Sequence, residues 1–492
     1  MEPQSGTTIA VGKVGKSPMD SQREFSGLAS DSRAVRPGYL FAALPGTNAN
    51  GAAFIADAVK RGAVAVLARP EARADAEKLG VRFIADENPR LRLARLAAAH
   101  FGAQPKTVAA VTGTNGKTSV TVFLREIWTA LGHKSASMGT IGVVAPTGEI
   151  ALKQTTPDPI ETQRLLAQLK HDDVDYLAVE ASSHGLDQYR LDGVEIAAAG
   201  FTNITRDHLD YHQTFADYLA TKLRLFVEVA RDGALAVVNA DAAQSEVFLA
   251  AAKKRGLRIV TVGEKGKTLR LAARVPHGEG QSLTIAHGGK SYAVELPLAG
   301  SFQASNALVA AGLAIGLGDA AETVFAALAH LKGAPGRLEK VAYAKSGAAI
   351  YVDYAHTPDA LETVLAAIRP HVTGRLHVVF GCGGDRDKGK RPLMGKAASA
   401  FADAVIVTDD NPRSEDPAAI RKEALAGAPG AREIGDRAQA IRQAIGALDA
   451  GDTLVIAGKG HETGQTVGNR TRPFSDREEA IKAALALGGS AI

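Results

Sequence analysis

Cysteine is almost missing from this sequence: Cys382 stands alone among 492 residues. That excludes an internal disulfide framework and a thiolate zinc site, and it fits a reducing compartment. Long apolar runs are missing too. The longest, residues 307–317, ends at Gly318-Asp319, short of the ~18 apolar residues that a membrane-spanning helix needs. The opening Met1-Glu2-Pro3-Gln4-Ser5-Gly6 has neither a basic start nor an apolar core, so no signal peptide is expected and a cytoplasmic location is. No basic stripe gathers the small excess of 57 Lys and Arg over 53 Asp and Glu, which argues against a nucleic-acid partner. Neither short-period repeats nor low-complexity tracts occur beyond richness in alanine.

What is present reads as a globular α/β protein. Hydrophobic residues make up 46% and charged residues 22% of the chain, which excludes wholesale disorder. The length suggests about three domains. Residues 1–104 form a small mixed unit with strands at 39–44 and 63–67. A central unit, 105–337, alternates helices with strands at 107–111, 176–179, 198–202 and 235–238. A third, 338–492, repeats the alternation at 349–352, 376–380, 404–407 and 454–456. Gly333-Ala334-Pro335-Gly336-Arg337 marks the second boundary, because Gly and Pro interrupt periodic structure. Both large units are expected to carry parallel sheets, with polar clusters at the strand ends where such sheets bind ligands.

Those clusters carry the chemistry. Gly113-Thr114-Asn115-Gly116-Lys117-Thr118-Ser119 links a strand to a helix, as a loop that cradles phosphate on backbone amides does. Lys117 would neutralise terminal phosphates and Thr118 could bind magnesium. The full phosphate-loop pattern wants glycine where Val111 stands. Glu180, just past a strand, suits a hard cation, and residues 206–212 (Arg-Asp-His-Leu-Asp-Tyr-His) gather further His and Asp. Asp353 and His356 sit at another strand end. Arg386, in a loop dense in cations, and Asp410-Asn411-Pro412-Arg413 pair acids with cations, as recognition of an amino acid requires. Gly458-Lys459-Gly460-His461-Glu462 forms a third such loop. Taken alone, Lys222, Arg337 and Asn306 are ordinary helix or hinge residues, and Cys382 is a small turn residue rather than a nucleophile.

With these motifs assembled, the sequence resembles the Mur ligases, ATP-dependent amide-forming enzymes of peptidoglycan precursor synthesis. The resemblance spans nearly the whole chain. It rests on the phosphate loop, Asp31-Ser32-Arg33, Thr155-Thr156-Pro157, Ser182-Ser183-His184-Gly185-Leu186, residues 206–212 and Asp410-Asn411-Pro412-Arg413. Within the family it is most similar to the enzymes that add the third residue of the stem peptide. The resemblance implies that Thr118, Glu180 and His208 serve magnesium, with two ions expected. It implies that Lys222 is carbamylated, supplying the oxygen ligands that magnesium prefers, and that Asn306, Arg337 and Asp353 hold ATP. Ser32 would meet the uridine part of the substrate, and Gln154, Thr155, Thr156, Ser182, Gln188 and Arg190 the muramoyl-dipeptide. Arg386, Asp410, Asn411, Pro412, Arg413, Gly458 and Glu462 would hold the incoming amino acid. Arg413 would grip the distal carboxylate of meso-diaminopimelate with its guanidinium fork.

The implied reaction joins meso-diaminopimelate to the D-glutamate γ-carboxylate of UDP-N-acetylmuramoyl-L-alanyl-D-glutamate through an acyl phosphate, in a monomer. His356 is the candidate to take the amine proton. Two rivals are a lysine-adding or folylpolyglutamate-type ligase and a nucleotide-dependent regulatory protein; the latter leaves the cationic loops of the third unit unexplained. Gln303 replaces the usual asparagine, and residues 50–54 lack a common Asp-Gly-His; neither is expected to touch the reaction centre. Glu87-Asn88-Pro89-Arg90 repeats part of the acceptor motif but reads as helix punctuation.

Overall fold

The computed structural model describes residues 25–46, 50–205 and 211–492. His208 and its neighbours 206–210 therefore lie outside the described residues. The chain divides into two compact units, residues 1–102 with 159–164 and residues 103–158 with 165–492.

In the first unit four strands, Gly27–Ala29, Tyr39–Ala42, Ala65–Ala68 and Arg82–Ala85, pair in that order and all run parallel. Alternate residues bury Phe41, Ile55 and Val66 on one face and Leu40, Leu67 and Leu93 on the other, as the two-residue period of a strand requires. Helix Pro89–Phe101 starts where Asn88 accepts from the Leu91 N–H at 3.1 Å, with Pro89 in the first turn, and ends at left-handed Gly102. The Asn88-Pro89-Arg90 sequence is helix punctuation, as its position suggested. Ser32 is buried at the head of a short turn that Asp31 caps by accepting from the Arg33 N–H at 2.9 Å. The Arg33 guanidinium beside Asp31 holds that carboxyl down at about 2.

The second unit carries two large sheets. The first has a parallel core in the order Arg258–Gly263, Leu235–Asn239, Ile196–Phe201, Thr107–Thr112, Tyr176–Glu180 and Ser135–Gly139. Strands covered on both faces read as unbroken apolar runs, which is why most of them were legible in the sequence. Helices Lys117–Ala130 and Ser301–Leu317 cover one face through Phe123, Trp128, Leu308 and Leu313. Leu166, Tyr218 and Phe248 belong to the core on the other. Helix Ser301–Leu317 is buried along residues 306–314 and lies close on the sheet. A Cβ at Gly312 would stand 2.8 Å from Val262, and one at Gly316 2.5 Å from Leu235. An antiparallel extension, Leu269–His277, Gly280–His287 and Lys290–Leu296, widens this sheet.

The other sheet runs Arg432–Glu433, Ala404–Asp409, Leu376–Cys382, Thr453–Ala457, Ala349–Asp353, Glu339–Tyr343 and Ser490–Ala491. Its first five strands are parallel; Glu339–Tyr343 pairs antiparallel with the fifth, and Ser490–Ala491 antiparallel with Glu339–Tyr343. Four of its helices begin on side-chain caps: Thr357, Asp416, Asp436 and Ser475 each accept a backbone N–H of the first turn. No described helix is long and apolar enough to cross a membrane.

Candidate active site

The phosphate loop joins strand Thr107–Thr112 to helix Lys117–Ala130. Gly116 holds the helix start in left-handed backbone, φ +86°, and a Cβ there would lie 2.3 Å from Asn306 Oδ1. Glycine is needed both for the dihedral and for the close approach. Lys117 Nζ folds back on the loop, donating to the carbonyls of Gly113 at 3.0 Å and Thr114 at 2.8 Å. The loop is braced from the next strand end: Asn115 N–H donates to Asn203 Oδ1 at 3.1 Å, and the Thr202 hydroxyl to the Asn115 carbonyl at 2.6 Å. Thr118 and Ser119 are buried in the first turn of the helix.

Lys222 reaches the same loop. It comes from helix Phe215–Arg224, which a reciprocal Thr214–Asp217 capping box starts. Its buried ammonium donates to the Gly113 carbonyl at 2.7 Å and lies 4.5 Å from the Tyr218 ring centre. The Tyr218 hydroxyl is 3.1 Å from Thr114 Oγ1, so Tyr218 touches both lysine and loop. Sequence reasoning passed over it, since a helix tyrosine among apolar residues reads as core.

Glu180 ends the neighbouring strand and is buried, its two oxygens accepting from the Thr140 N–H at 2.8 Å and hydroxyl at 3.2 Å. From it a polar chain runs outward. Thr140 Oγ1 lies 3.0 Å from Thr155 Oγ1, and Thr156 Oγ1 donates to the Glu180 carbonyl at 2.8 Å and sits 2.9 Å from Ser182 Oγ. Arg190 ties the far end, donating to Gln154 Oε1, the Thr156 carbonyl and Gln188 Oε1 at 2.6–2.8 Å. All six residues assigned to the muramoyl-dipeptide thus form one connected network.

Helix Ser301–Leu317 links this rim to the hinge. Asn306 faces the phosphate loop, and Gln303, three residues earlier on the same face, donates to the Arg337 carbonyl at 2.9 Å. The Gln303 departure therefore bears on the backbone of a proposed nucleotide residue. The Arg337 guanidinium lies 4.5 Å from the Tyr354 ring centre, and the His461 ring lies 5.3 Å from it, tilted by 45°. Arg337 Nη1 and His461 Nδ1 are both buried without a hydrogen-bond partner. Burial, with the Arg337 charge adding, pushes the His461 imidazole down to about 4. Asp353, fully enclosed, accepts from the backbone N–H groups of Leu338 at 2.6 Å and Ala355 at 2.7 Å. Its burial raises it to about 6, Arg337 opposing. His356 is exposed, with Nδ1 2.9 Å from the Tyr354 carbonyl.

At the other strand ends Asn411, Glu462 and Lys459 form a closed set. Asn411 Nδ2 donates to Glu462 Oε2 at 3.0 Å, and the fully buried Lys459 Nζ donates to Asn411 Oδ1 and Glu462 Oε2, each at 3.1 Å. Gly458, φ +119°, lets the backbone pass Asp410; a Cβ would lie 2.8 Å from its Oδ2. Behind them Arg437 and Asp476 are paired with no exposure, Nε to Oδ1 at 2.7 Å, and Arg437 also donates to the Ala457 carbonyl at 2.9 Å. Arg413 donates to the Gly384 carbonyl at 2.7 Å, while Arg386 turns back on the Asp385 carbonyl at 3.0 Å.

Hard oxygen donors at Thr118 and Glu180 suit magnesium. An ammonium at Lys222 does not; only its carbamate would. Among the described residues no group of three His, Cys, Asp or Glu gathers as a metal site.

Three family models match in series: the Mur ligase family catalytic domain over residues 24–101, the Mur ligase middle domain over 111–314 and the Mur ligase glutamate ligase domain over 336–460. The chain belongs to the Mur ligase family. Its parallel-sheet middle domain and three-part α/β architecture are those of Mur ligases of known structure. A Mur ligase of Bradyrhizobium diazoefficiens, UDP-N-acetylmuramoyl-L-alanyl-D-glutamate–2,6-diaminopimelate ligase, is 58% identical over 467 residues, 94% of this chain and 95% of its own. The enzyme of the same name from Mesorhizobium japonicum is 56% identical, with 94% and 95% covered. A solved structure bearing that enzyme name is 35% identical and superimposes with a TM-score of 0.70 over 94% of this chain and 95% of the other.

Proposed function

We infer that this Mur ligase uses ATP to join 2,6-diaminopimelate to the D-glutamate γ-carboxylate of UDP-N-acetylmuramoyl-L-alanyl-D-glutamate, a step of peptidoglycan precursor synthesis. The observation that carries the inference is end-to-end identity of 58% and 56% to two enzymes so named.

The geometry supports a division of labour. The amides of residues 113–119 and Lys117 bind the ATP phosphates at the helix start, and Asn306, Arg337 and Asp353 hold the nucleotide. The γ-carboxylate, positioned through the Thr155, Thr156, Ser182, Gln188 and Arg190 network, attacks the γ-phosphorus. ADP leaves and an acyl phosphate forms. The acceptor amine then adds to that carbonyl, and collapse of the tetrahedral adduct expels phosphate as the amide forms. Thr118, Glu180, His208 and carbamylated Lys222 would hold two magnesium ions, which supply charge neutralisation on the transferring phosphoryl group. Asp410, Asn411, Glu462 and Gly458 receive the ammonium and proximal carboxylate of the acceptor, with Arg386, and Arg413 takes the distal carboxylate. His356 would accept the amine proton. The work of the protein is positioning and electrostatics.

Phosphate release tests the whole reading, with ATP, magnesium and the nucleotide-sugar present and meso-diaminopimelate, L-lysine or no amine supplied. Release that requires both the nucleotide-sugar and diaminopimelate is expected. A preference for lysine overturns the acceptor assignment, and release indifferent to every addition overturns the ligase.

A further inference from the structure

Arg413 lies in left-handed backbone, φ +54°, a conformation that a residue with a long side chain keeps only where its surroundings impose it. Two sides impose it here. The hairpin of strands Gly464–Val467 and Arg470–Pro473 grips the backbone: Arg413 N–H donates to the Thr466 carbonyl at 3.1 Å, and its own carbonyl accepts from Gly468 N–H at 2.6 Å. The Gly384 carbonyl anchors the guanidinium at 2.7 Å.

That anchor is itself held. Gly384 N–H donates to the Asn411 carbonyl at 2.9 Å, and a Cβ on Gly384 would lie 1.9 Å from the Pro412 carbonyl, so the two loops are interlocked. The next residue, Asp385, is also left-handed, φ +53°. Its carboxylate accepts from the Ser414 hydroxyl at 2.5 Å and N–H at 3.2 Å, and its N–H donates to Glu415 Oε1 at 2.6 Å. Glu415 ends the chain of contacts on Arg391, a guanidinium with no solvent exposure. Arg391 gives Glu415 two hydrogen bonds, of 3.1 and 2.9 Å, and reaches Glu423 at 2.9 Å and the Gly383 carbonyl at 3.4 Å. Arg391 is the first cause that holds the Glu415 carboxyl down at about 2, so the contact is charge to charge at any working pH. A carboxylate can accept from a cationic fork and a backbone amide at once; an amide would turn two donors toward donors.

We propose that Glu415, gripped by Arg391, is a positioning residue that sets the Arg413 guanidinium and thereby the preference for an acceptor bearing a second carboxylate. The proposal rests on Arg413 as the partner of that carboxylate. Glu415 acts through Asp385 and Gly384, and bidentate recognition tolerates displacement of only about 0.5 Å.

The test compares Glu415→Gln, Arg413→Ala and the double variant in steady-state kinetics of the whole enzyme. Glu415→Gln should raise the KM for meso-diaminopimelate about tenfold, the scale of one charged hydrogen-bond set. The KM values for ATP and nucleotide-sugar, and kcat at saturating acceptor, should stay within about twofold. Discrimination between diaminopimelate and L-lysine should narrow, and the double variant should be no worse than Arg413→Ala, because one residue acts through the other. If Arg413→Ala loses acceptor affinity while Glu415→Gln keeps it, the positioning role is overturned and the acceptor reading stands. If Arg413→Ala keeps it too, the acceptor reading falls. Equal losses in every constant with a lowered melting temperature would mark Glu415 as structural only and overturn the proposal. Should Glu415→Gln fail to fold, Asp385→Asn, at an exposed position where asparagine tolerates left-handed backbone, carries the same expectations.

Discussion

Lys117 and Lys222, 105 positions apart in the sequence, donate to the same acceptor, the carbonyl oxygen of Gly113, at 3.0 and 2.7 Å. Two cations converging on one carbonyl at the mouth of a phosphate loop form a strongly electropositive point. Carbamylation of Lys222 would replace one of them with an anion beside Thr114 and Tyr218. The same spot would then attract a hard cation rather than repel it.

Replacing Lys222 by alanine should therefore lower turnover by at least about a hundredfold, the usual cost of removing one preorganised electrostatic group. Formate or acetate should restore part of it by supplying the missing carboxylate. Phosphate-release assays with and without the added anion read the result. Near-normal turnover in unsupplemented buffer would end the carbamate assignment.

The parallel strands were legible because burial on both faces demands continuous apolar runs, and the site loops because they follow strand ends. Legibility failed where pairing joins distant residues. Lys222 and Gly113 are 109 positions apart, and nothing in the local sequence of Lys222 separates it from a solvated helix lysine. Arg391 and Lys459 sit in polar loops, yet both are fully buried: carboxylates of the later segment, Glu415 and Glu423, neutralise Arg391, while Lys459 is held by the distant Asn411 amide and by Glu462 of its own loop. The antiparallel extension at 269–296 escaped notice for a different reason: its alternating exposure lacks the apolar continuity of the core strands.

His461 and Asp353 give the hinge opposed pH responses. The unfolded imidazole takes up a proton near 6.5, which the folded one refuses until about 4, so its contribution to stability is lost as pH falls through that window. Asp353 keeps its proton up to about 6 when folded, against 3.8 unfolded, so its contribution is lost as pH rises from 3.8 to 6. Linkage puts the His461 cost at about 2 kcal/mol at pH 5. His461→Gln should accordingly lose less stability than the parent between pH 7.5 and pH 5, and Asp353→Asn should lose more. Urea midpoints at the two pH values decide it; parallel shifts in parent and His461→Gln would refute the neutral, enclosed imidazole.

The Arg437–Asp476 pair tests how the acceptor rim is supported. Both side chains are without exposure, and Arg437 also holds the Ala457 carbonyl, one residue before Gly458. Arg437→Met leaves a buried carboxylate without a counterion, which typically costs about 3–5 kcal/mol. Replacing both partners, as Arg437→Met with Asp476→Leu, removes the stranded charge and should recover most of that loss. The carbonyl of Ala457 would still lack its donor, so acceptor KM should remain raised in the double variant while its melting temperature returns toward the parent. A double variant as unstable as Arg437→Met would show that packing, rather than the unpaired charge, sets the cost.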